Sequence, residues 1–526
     1  MDVAKLTNDN KLFYGDNLDI LRRKIKDETV DLCYIDPPFN SKRNYNQIYN
    51  NVGTEDRAQA QAFTDTWIWD DYAIAGYAEI LANDQGRFQA PLIELIKGLH
   101  AVLGEGSLLA YLISMALRIT EIHRVLKGTG SFYLHCDPTA SHFLKLICDG
   151  IFCGADGEFV NEIIWHYLTF QGQARRYFPK KHDTIFWYSK SHDFKFNVLY
   201  DTQFEETIDS KRWEKFFNKE NQIIASHMPD HDTRFIRYLK KWKRVNGRDP
   251  EPEDVIYEAR GQLVDTVWNM KGLDPKSKER LGYPTQKPEA LLERIIRASS
   301  NEGDMILDAY CGCGTTVAVA QSLKRKWIGM DITYQSISLV LRRLEHKFGK
   351  QILNSISLDG IPRDMKSAVA LAHKKDDRLR KEFEKWAVLT YTDNRAIINE
   401  KKGADAGIDG RAFFMTGKKD NAKIIFQVKS GGVKRGDIAT LRGDMESDGA
   451  ALAVLITLEE PTKPMIEDAK KAGVYKHETM GHSYDKISIV TVREIVEEGN
   501  RLEIPMSLEV VAAAKRQAEG DQIELL

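Results

Sequence analysis

The stretch from Met305 to Thr316 constrains the fold more than any other. A short apolar run, Met305-Ile306-Leu307, ends in Asp308. It passes at once through Ala309-Tyr310-Cys311-Gly312-Cys313-Gly314 into Thr315-Thr316 and the helix-forming VAVAQSL. A strand, a tight glycine loop and a helix in immediate succession bury their apolar faces as part of a parallel α/β sheet. Glycine at 312 and 314 allows a tight turn and close backbone approach, with the helix N–H groups aimed at whatever sits there. A second strand, WIGMD, ends in Asp331, 23 residues after Asp308. An acidic residue at that distance is placed to hold the two hydroxyls of a ribose. The loop lacks the third glycine of G-x-G-x-x-G, so a nicotinamide dinucleotide would not meet its full pyrophosphate fingerprint.

The α/β rhythm is interrupted. From Lys11 to about Phe159 strands (KLFYGD, DLCYIDPPF, GSFYLHCD) alternate with helical periodicity (LIELIKGLHAVL, SLLAYLISMALRITEIHRVL). Residues 161–270 are irregular, aromatic and locally basic. Between Ser210 and Pro250 eleven Lys or Arg face five Asp or Glu, with Trp213, Phe216, Phe217, Phe235, Tyr238 and Trp242 interleaved. The rhythm returns at PTQKPEALLERIIRASS and runs to about Phe348, and a polar stretch then reads as a linker. Beyond it a helix (RLRKEFEKWAVL) and short strands (KIIFQVKS, ALAVLITL, KISIVTV) form a separate unit. The expected division is 1–160 and 271–350 as two parts of one domain, 161–270 as an insert, 351–378 as linker and 379–526 as a second α/β domain.

The segment Tyr34-Ile35-Asp36-Pro37-Pro38-Phe39 follows a strand, at the end where α/β sheets place their sites. Two prolines stiffen the loop and remove two N–H donors, leaving carbonyls as acceptors. Asp36 adds a carboxylate and Phe39 a flat apolar face. Together they suit an aromatic ring with an exocyclic amine: Asp36 and a proline carbonyl each take one N–H, and Phe39 stacks. Asp-Pro-Pro alone is also a rigid turn with a helix-capping Asp.

Asp-Pro-Pro-Phe together with LDAYCGCGTT, WIGMDI and PTQKPEALLERII resembles the amino-methylating DNA methyltransferases that use S-adenosylmethionine, over roughly residues 11 to 345. The catalytic motif precedes the cofactor loop with the variable segment between them, as in the family's β-type arrangement. The resemblance implies a Rossmann-like sheet in which Asp308, Tyr310, Gly312, Gly314 and Thr315 line the methionine side of the cofactor. Asp331 would hold its ribose, Asp16 approach its adenine, and Thr285, Gln286, Lys287 and Pro288 open a helix beside it. The family usually has proline and phenylalanine where this chain has Ala309 and Tyr310. The implied partner is double-stranded DNA, the insert is the target-recognition region, and adenine N6 is the implied acceptor, because cytosine-N4 members more often carry Ser-Pro-Pro. The chain has no Pro-Cys dipeptide, so the covalent cysteine route to ring-carbon methylation lacks its nucleophile.

In the last unit Gly407-Ile408-Asp409-Gly410 precedes the strand Lys423 to Lys429, whose alternation puts Gln427 and Lys429 on one face. An Asp, a second acceptor and a lysine two residues on can hold Mg2+ and water while the lysine stabilises developing phosphate charge. The fuller pattern FEKWAV, GADAGIDG, IIFQVKS resembles the Mrr-type branch of the PD-(D/E)xK restriction endonucleases, over roughly residues 379 to 500. It implies Asp409, Gln427 and Lys429 as the catalytic triplet, Asp409 and Gln427 as metal ligands and Glu384 as a further acid. Gln427 stands where most of that superfamily has Asp or Glu, so a domain that only binds DNA or a partner is the alternative.

The six cysteines, Cys33, Cys136, Cys148, Cys153, Cys311 and Cys313, form no C-x-x-C, which argues against a structural zinc site. The apolar run near Leu108 to Leu117 is too short to span a bilayer, so no membrane partner is expected. The N-terminus lacks the pattern of a signal peptide, and the expected location is the cytoplasm. A net charge of -2 neither demands nor excludes nucleic acid. The oligomeric state stays open, a homodimer included.

Overall fold

The computed structural model describes residues 10–38, 67–167, 178–201, 208–273, 277, 279–281, 283, 285–362, 364–373, 377–393, 395–398, 407–416, 421–477 and 483–504. The strands are β1 (Asn10–Tyr14), β2 (Val30–Ile35), β3 (Leu126–Cys136), β4 (Glu158–His166), β5 (His182–Ser189), β6 (Gln222–Ile224), β7 (Val255–Glu258), β8 (Val267–Asn269), β9 (Met305–Asp308), β10 (Lys326–Asp331), β11 (Ile356–Asp359), β12 (Ile397–Ile398), β13 (Gly410–Met415), β14 (Asn421–Lys429), β15 (Leu452–Thr457), β16 (Val474–Lys476), β17 (Ser483–Asp485) and β18 (Ile487–Thr491). Eight helices matter below: α1 (Asn17–Lys24), α2 (Ser107–Val125), α3 (Thr233–Asn246), α4 (Glu289–Ser299), α5 (Thr315–Ser322), α6 (Tyr334–Phe348), α7 (Asp377–Tyr391) and α8 (Arg435–Ser447).

Nine strands form one sheet in the order β11-β1-β10-β9-β2-β3-β5-β4-β8. The six strands from β11 to β3 run parallel, and β5 pairs antiparallel with both β3 and β4. All six residues of β2 are buried, as a central strand covered on both faces requires. Helix α2 lies on one face with thirteen of its residues buried, and α4, α5 and α6 pack on the other against Leu12, Leu32 and Ile306. The smaller sheet, β12-β13-β14-β15-β18, is a separate unit with α7 on one face and α8 on the other.

Two expected boundaries differ from the fold. Residues 356–359, assigned to a linker, form the edge strand β11, because ISLD offers alternate apolar side chains and β1 has a free edge to take them. Strands β5 and β8 belong to the large sheet although they lie within the expected insert. The part that stands apart from the sheet is residues 208–258. It has its own small core of Trp213, Ile223, Phe235 and Ile256, ringed by Phe216, Phe217, Tyr238, Trp242 and Tyr257. Trp213 and Phe235 are therefore committed to packing. The basic residues of α3 (Arg234, Arg237, Lys240, Lys241, Lys243 and Arg244) are exposed.

Truncating Phe235 to Ala should cost about 3–5 kcal/mol locally. Hydrogen exchange is expected to accelerate across 208–258 while protection of β2, β9 and β10 persists; equal loss in both would show that the small core is not independent.

Candidate active sites

Parallel pairing of β1, β10, β9 and β2 sets four acidic residues at one edge of the sheet. Leu32 and Cys33 stand opposite Ile306 and Leu307, Gly329 opposite Asp308, and Tyr14 opposite Asp331. Asp36, Asp308, Asp331 and Asp16 thus end or follow four adjacent strands, although Asp36 and Asp308 are far apart in sequence. Their charges are felt mutually: burial pushes Asp308 up to about 7, with Asp36 and Asp331 adding to the effect. Burial likewise pushes Asp331 up to about 6.

The glycine loop is built as its residues require. Gly312 and Gly314 have φ of +50° and +74°. A Cβ at 314 would meet Val340 at 2.8 Å, and one at 312 would meet the ring of Tyr283 at 3.2 Å. The Gly312 N–H donates to Asp331 Oδ2 at 2.9 Å, the Tyr310 N–H to Asp308 Oδ1 at 3.0 Å. The Thr315 hydroxyl accepts from the buried Arg343 at 2.7 Å. Asp16 caps α1 through the Leu18 N–H at 2.9 Å and pairs with Arg118 at 2.7 Å, so both its oxygens are already engaged. Glycines with left-handed backbone, buried acids and N–H groups at the start of α5 fit a nucleoside-bearing cofactor.

At Asp36 the structure adds a partner that the motif did not specify. Lys287 Nζ donates to Asp36 Oδ2 at 2.6 Å, with both side chains largely buried. Asp36 Oδ1 is buried and has no hydrogen-bond partner among the described residues. One oxygen is thus fixed by the lysine and the other is left to accept. Gln286 pins its own loop, donating to Glu279 O and accepting from the Leu281 N–H. Pro288 caps α4 and Thr285 is exposed. Phe39 and the loop after it lie outside the described residues. Behind Asp36, the Tyr34 hydroxyl bonds His135 Nδ1 at 2.9 Å, and His135 Nε2 bonds Asp183 Oδ2 at 3.0 Å. Burial pushes Asp183 up, but its bonds to His135 and the nearby Lys287 outweigh this and hold it below the usual carboxylate range. The pairing of β3 with β2 brings His135 to Tyr34, and the pairing of β3 with β5 brings Asp183 to His135.

In the second unit Asp409 immediately precedes β13. Its N–H donates to Phe426 O and its Oδ2 accepts from the Val428 N–H at 2.7 Å. Gln427 Nε2 donates to Gly407 O at 3.0 Å, while its buried Oε1 has no partner among the described residues. Burial, and next the Glu384 charge, push Asp409 up to about 7. Lys429 is partly exposed and 3.9 Å from Asp437. The four nominated residues are brought together, and an orphaned acceptor beside mutually repelling acids fits a divalent cation. Among the described residues no group of three or more His, Cys, Asp or Glu could hold a metal ion, so the glutamine oxygen would have to serve as a ligand.

A family model for DNA methylases matches residues 30–342, and one for restriction endonucleases matches residues 380–476. The first spans well over half of the chain, and the protein belongs to that DNA methylase family. Relatives include the DNA adenine methyltransferase YhdJ of Escherichia coli (strain K12), 28% identical over 334 residues that cover 64% of this chain and 82% of that protein. Type II methyltransferase M.HpaI of Haemophilus parainfluenzae is 31% identical over 232 residues, 44% of this chain and 58% of that protein. Among solved structures, the cytosine-N4-specific PvuII DNA methyltransferase aligns with 66% of this chain and 94% of its own at 14% identity, with a TM-score of 0.37. Among the described residues, no helix is long and apolar enough to cross a membrane.

The raised acids have a signed consequence for stability. Each binds its proton more tightly folded than unfolded, so its contribution is present below the ordinary carboxylate range and lost as pH rises through about 6 to 7. Asp409→Asn should therefore raise the melting temperature of cation-free protein more at about pH 8 than at about pH 5, at about 1.4 kcal/mol per pH unit of relief as an upper bound. A scan of both proteins at the two pH values checks this, and an equal gain at both would refute it.

Proposed function

We propose that the protein transfers a methyl group from S-adenosylmethionine to adenine N6 in double-stranded DNA and carries a Mg2+-dependent endonuclease on the same chain, a one-chain restriction-modification enzyme. The observation that carries the methyltransferase reading is the adjacency of the Asp36, Asp308 and Asp331 strand ends, with one buried oxygen of Asp36 unpartnered among the described residues.

S-adenosylmethionine supplies an electrophilic methyl group. Asp331 would hold its ribose, and the Gly312 to Gly314 backbone would leave room for its methionine portion. The base amine is a poor nucleophile because its lone pair is delocalised into the ring. Asp36 Oδ1 and the Pro37 carbonyl each accept one of its N–H bonds, which turns the nitrogen toward sp3 and aims the lone pair at the methyl carbon. Lys287 holds the other oxygen of Asp36, so the carboxylate cannot rotate away. Adenine is favoured by Asp, rather than Ser, before the two prolines, and by the adenine methyltransferase named among the relatives. To reach this site the base must leave the duplex stack, and Phe39 and Pro38 would flank it. The exposed basic face of α3 would neutralise phosphates.

In the nuclease unit Asp409, Gln427 and Glu384 would hold Mg2+, which lowers the pKa of bound water, and Lys429 would stabilise the phosphate charge. Gln427 in an acidic position, with no cluster of three metal-binding groups among the described residues, favours a second reading in which this unit only binds DNA or a partner.

Methyl transfer and Mg2+-dependent cleavage should be followed on unmethylated and premethylated DNA, with and without S-adenosylmethionine. Asp36→Ala is expected to lower methyl transfer by about 100- to 1,000-fold with cofactor binding retained. Lys429→Ala should abolish cleavage of unmethylated DNA and leave methylation intact. Methylation without cleavage by the unaltered chain would establish the second reading; cleavage confined to methylated DNA would make the unit a methylation-dependent nuclease.

A further inference from the structure

We propose that Glu382, a residue of the nuclease-like unit, is a positioning residue for the methyltransferase's cofactor site. This rests on the reading that Asp331 holds the cofactor.

Helix α6 starts three residues after Asp331. Its N-cap, Thr333, spends its hydroxyl on the Ser336 N–H, which leaves the first helical N–H, that of Tyr334, without an intrahelical partner. Glu382 Oε2, arriving from α7 of the other unit, accepts that N–H at 2.8 Å. A carboxylate at the positive end of a helix is favoured electrostatically as well. Glu382 is 8% exposed, and its second oxygen is held by Lys385 at 2.8 Å. The grip passes directly to the cofactor carboxylate. Thr333, next to the clamped amide, donates from both its N–H and its hydroxyl to Asp331 Oδ1 at 2.9 and 3.1 Å, while Gly312 holds Oδ2.

The surroundings make this a built contact. Tyr334 is buried in the core of the nuclease unit with Phe383 and Trp386, and its hydroxyl lies 3.2 Å from Thr390. Arg395 reaches back to Glu345 at 3.1 Å. Residues two apart on a helix point to different sides. Glu382 accordingly faces the methyltransferase, whereas Glu384 acts on Asp409 in the nuclease site. One helix touches both sites, and linkage makes any coupling reciprocal.

The test is S-adenosylmethionine binding by calorimetry, with KM and kcat for methyl transfer, on the full chain and on Glu382→Leu, Glu382→Gln and Asp331→Ala. Losing one hydrogen bond to a charged group should raise Kd and KM of the Leu variant about tenfold with kcat within about twofold. The Gln variant, which keeps an acceptor oxygen, should return to within about threefold of wild type. In the unaltered chain, saturating S-adenosylmethionine should slow amide exchange in residues 377–391. Wild-type binding by the Leu variant while Asp331→Ala has lost it would overturn the role of Glu382. Equal loss of kcat in the Leu and Gln variants would overturn it as well, by showing general damage. Wild-type binding by Asp331→Ala would instead overturn the cofactor reading on which the proposal rests. Should the Leu variant not fold, unchanged exchange in 377–391 of the unaltered chain would overturn the proposal.

Discussion

The alignment of the strand ends that carry Asp36, Asp308 and Asp331 depends on one buried carboxylate within β2. Asp31, on β2 and 1% exposed, accepts from the Met305 N–H at the start of β9, from Lys127 on β3 and from Lys195 beyond β5. Burial raises its pKa, but the two lysines and the amide outweigh that and hold it below its ordinary value. A charge buried this deeply is tolerable only with every oxygen paired, so each strand must arrive in one register. That register sets Leu32 opposite Ile306 and Cys33 opposite Leu307, so that Asp36 follows β2 beside the end of β9 where Asp308 stands. A one-residue slip would turn every side chain of β2 to the other face.

Both candidate sites use the same electrostatic arrangement. An acid at a strand end is buried until its proton is held near neutrality, and an acceptor oxygen nearby has no partner among the described residues: Asp36 Oδ1 in one, Gln427 Oε1 in the other. Orphaned buried acceptors are costly in an empty protein. They are the positions where a base amine or a cation would recover energy, and the rigid strands behind them limit how far the site can relax instead. Helix α7 lies between the two systems, with Glu382 toward one and Glu384 toward the other.

Much of this was legible in the chain. The Met305 to Thr316 unit announces a strand, a tight loop and a helix, and the DPPF and QVK segments carry their chemistry in consecutive residues. Other features could not be read. The Thr315 hydroxyl accepts from Arg343, and Asp16, which caps α1, pairs with Arg118, contacts that no local pattern announces. Trp213 and Phe235, interleaved in the sequence with the basic residues, are core residues because the insert must bury an apolar nucleus of its own. A run of basic and aromatic residues has the same composition whether its rings face in or out.

By itself the sequence determined the local conformations and the chemical types: where backbone must turn with positive φ, which loops lack donors, which segments alternate as strands, and that the chain holds two α/β units. Those are properties of neighbours along the chain, set by sterics and side-chain chemistry within a few residues. Tertiary structure alone decided which distant groups meet: Lys287 on Asp36, His135 between Tyr34 and Asp183, and Glu382 on the Tyr334 amide. These contacts follow from strand order and helix packing, which depend on how the whole core closes, and no local pattern encodes them.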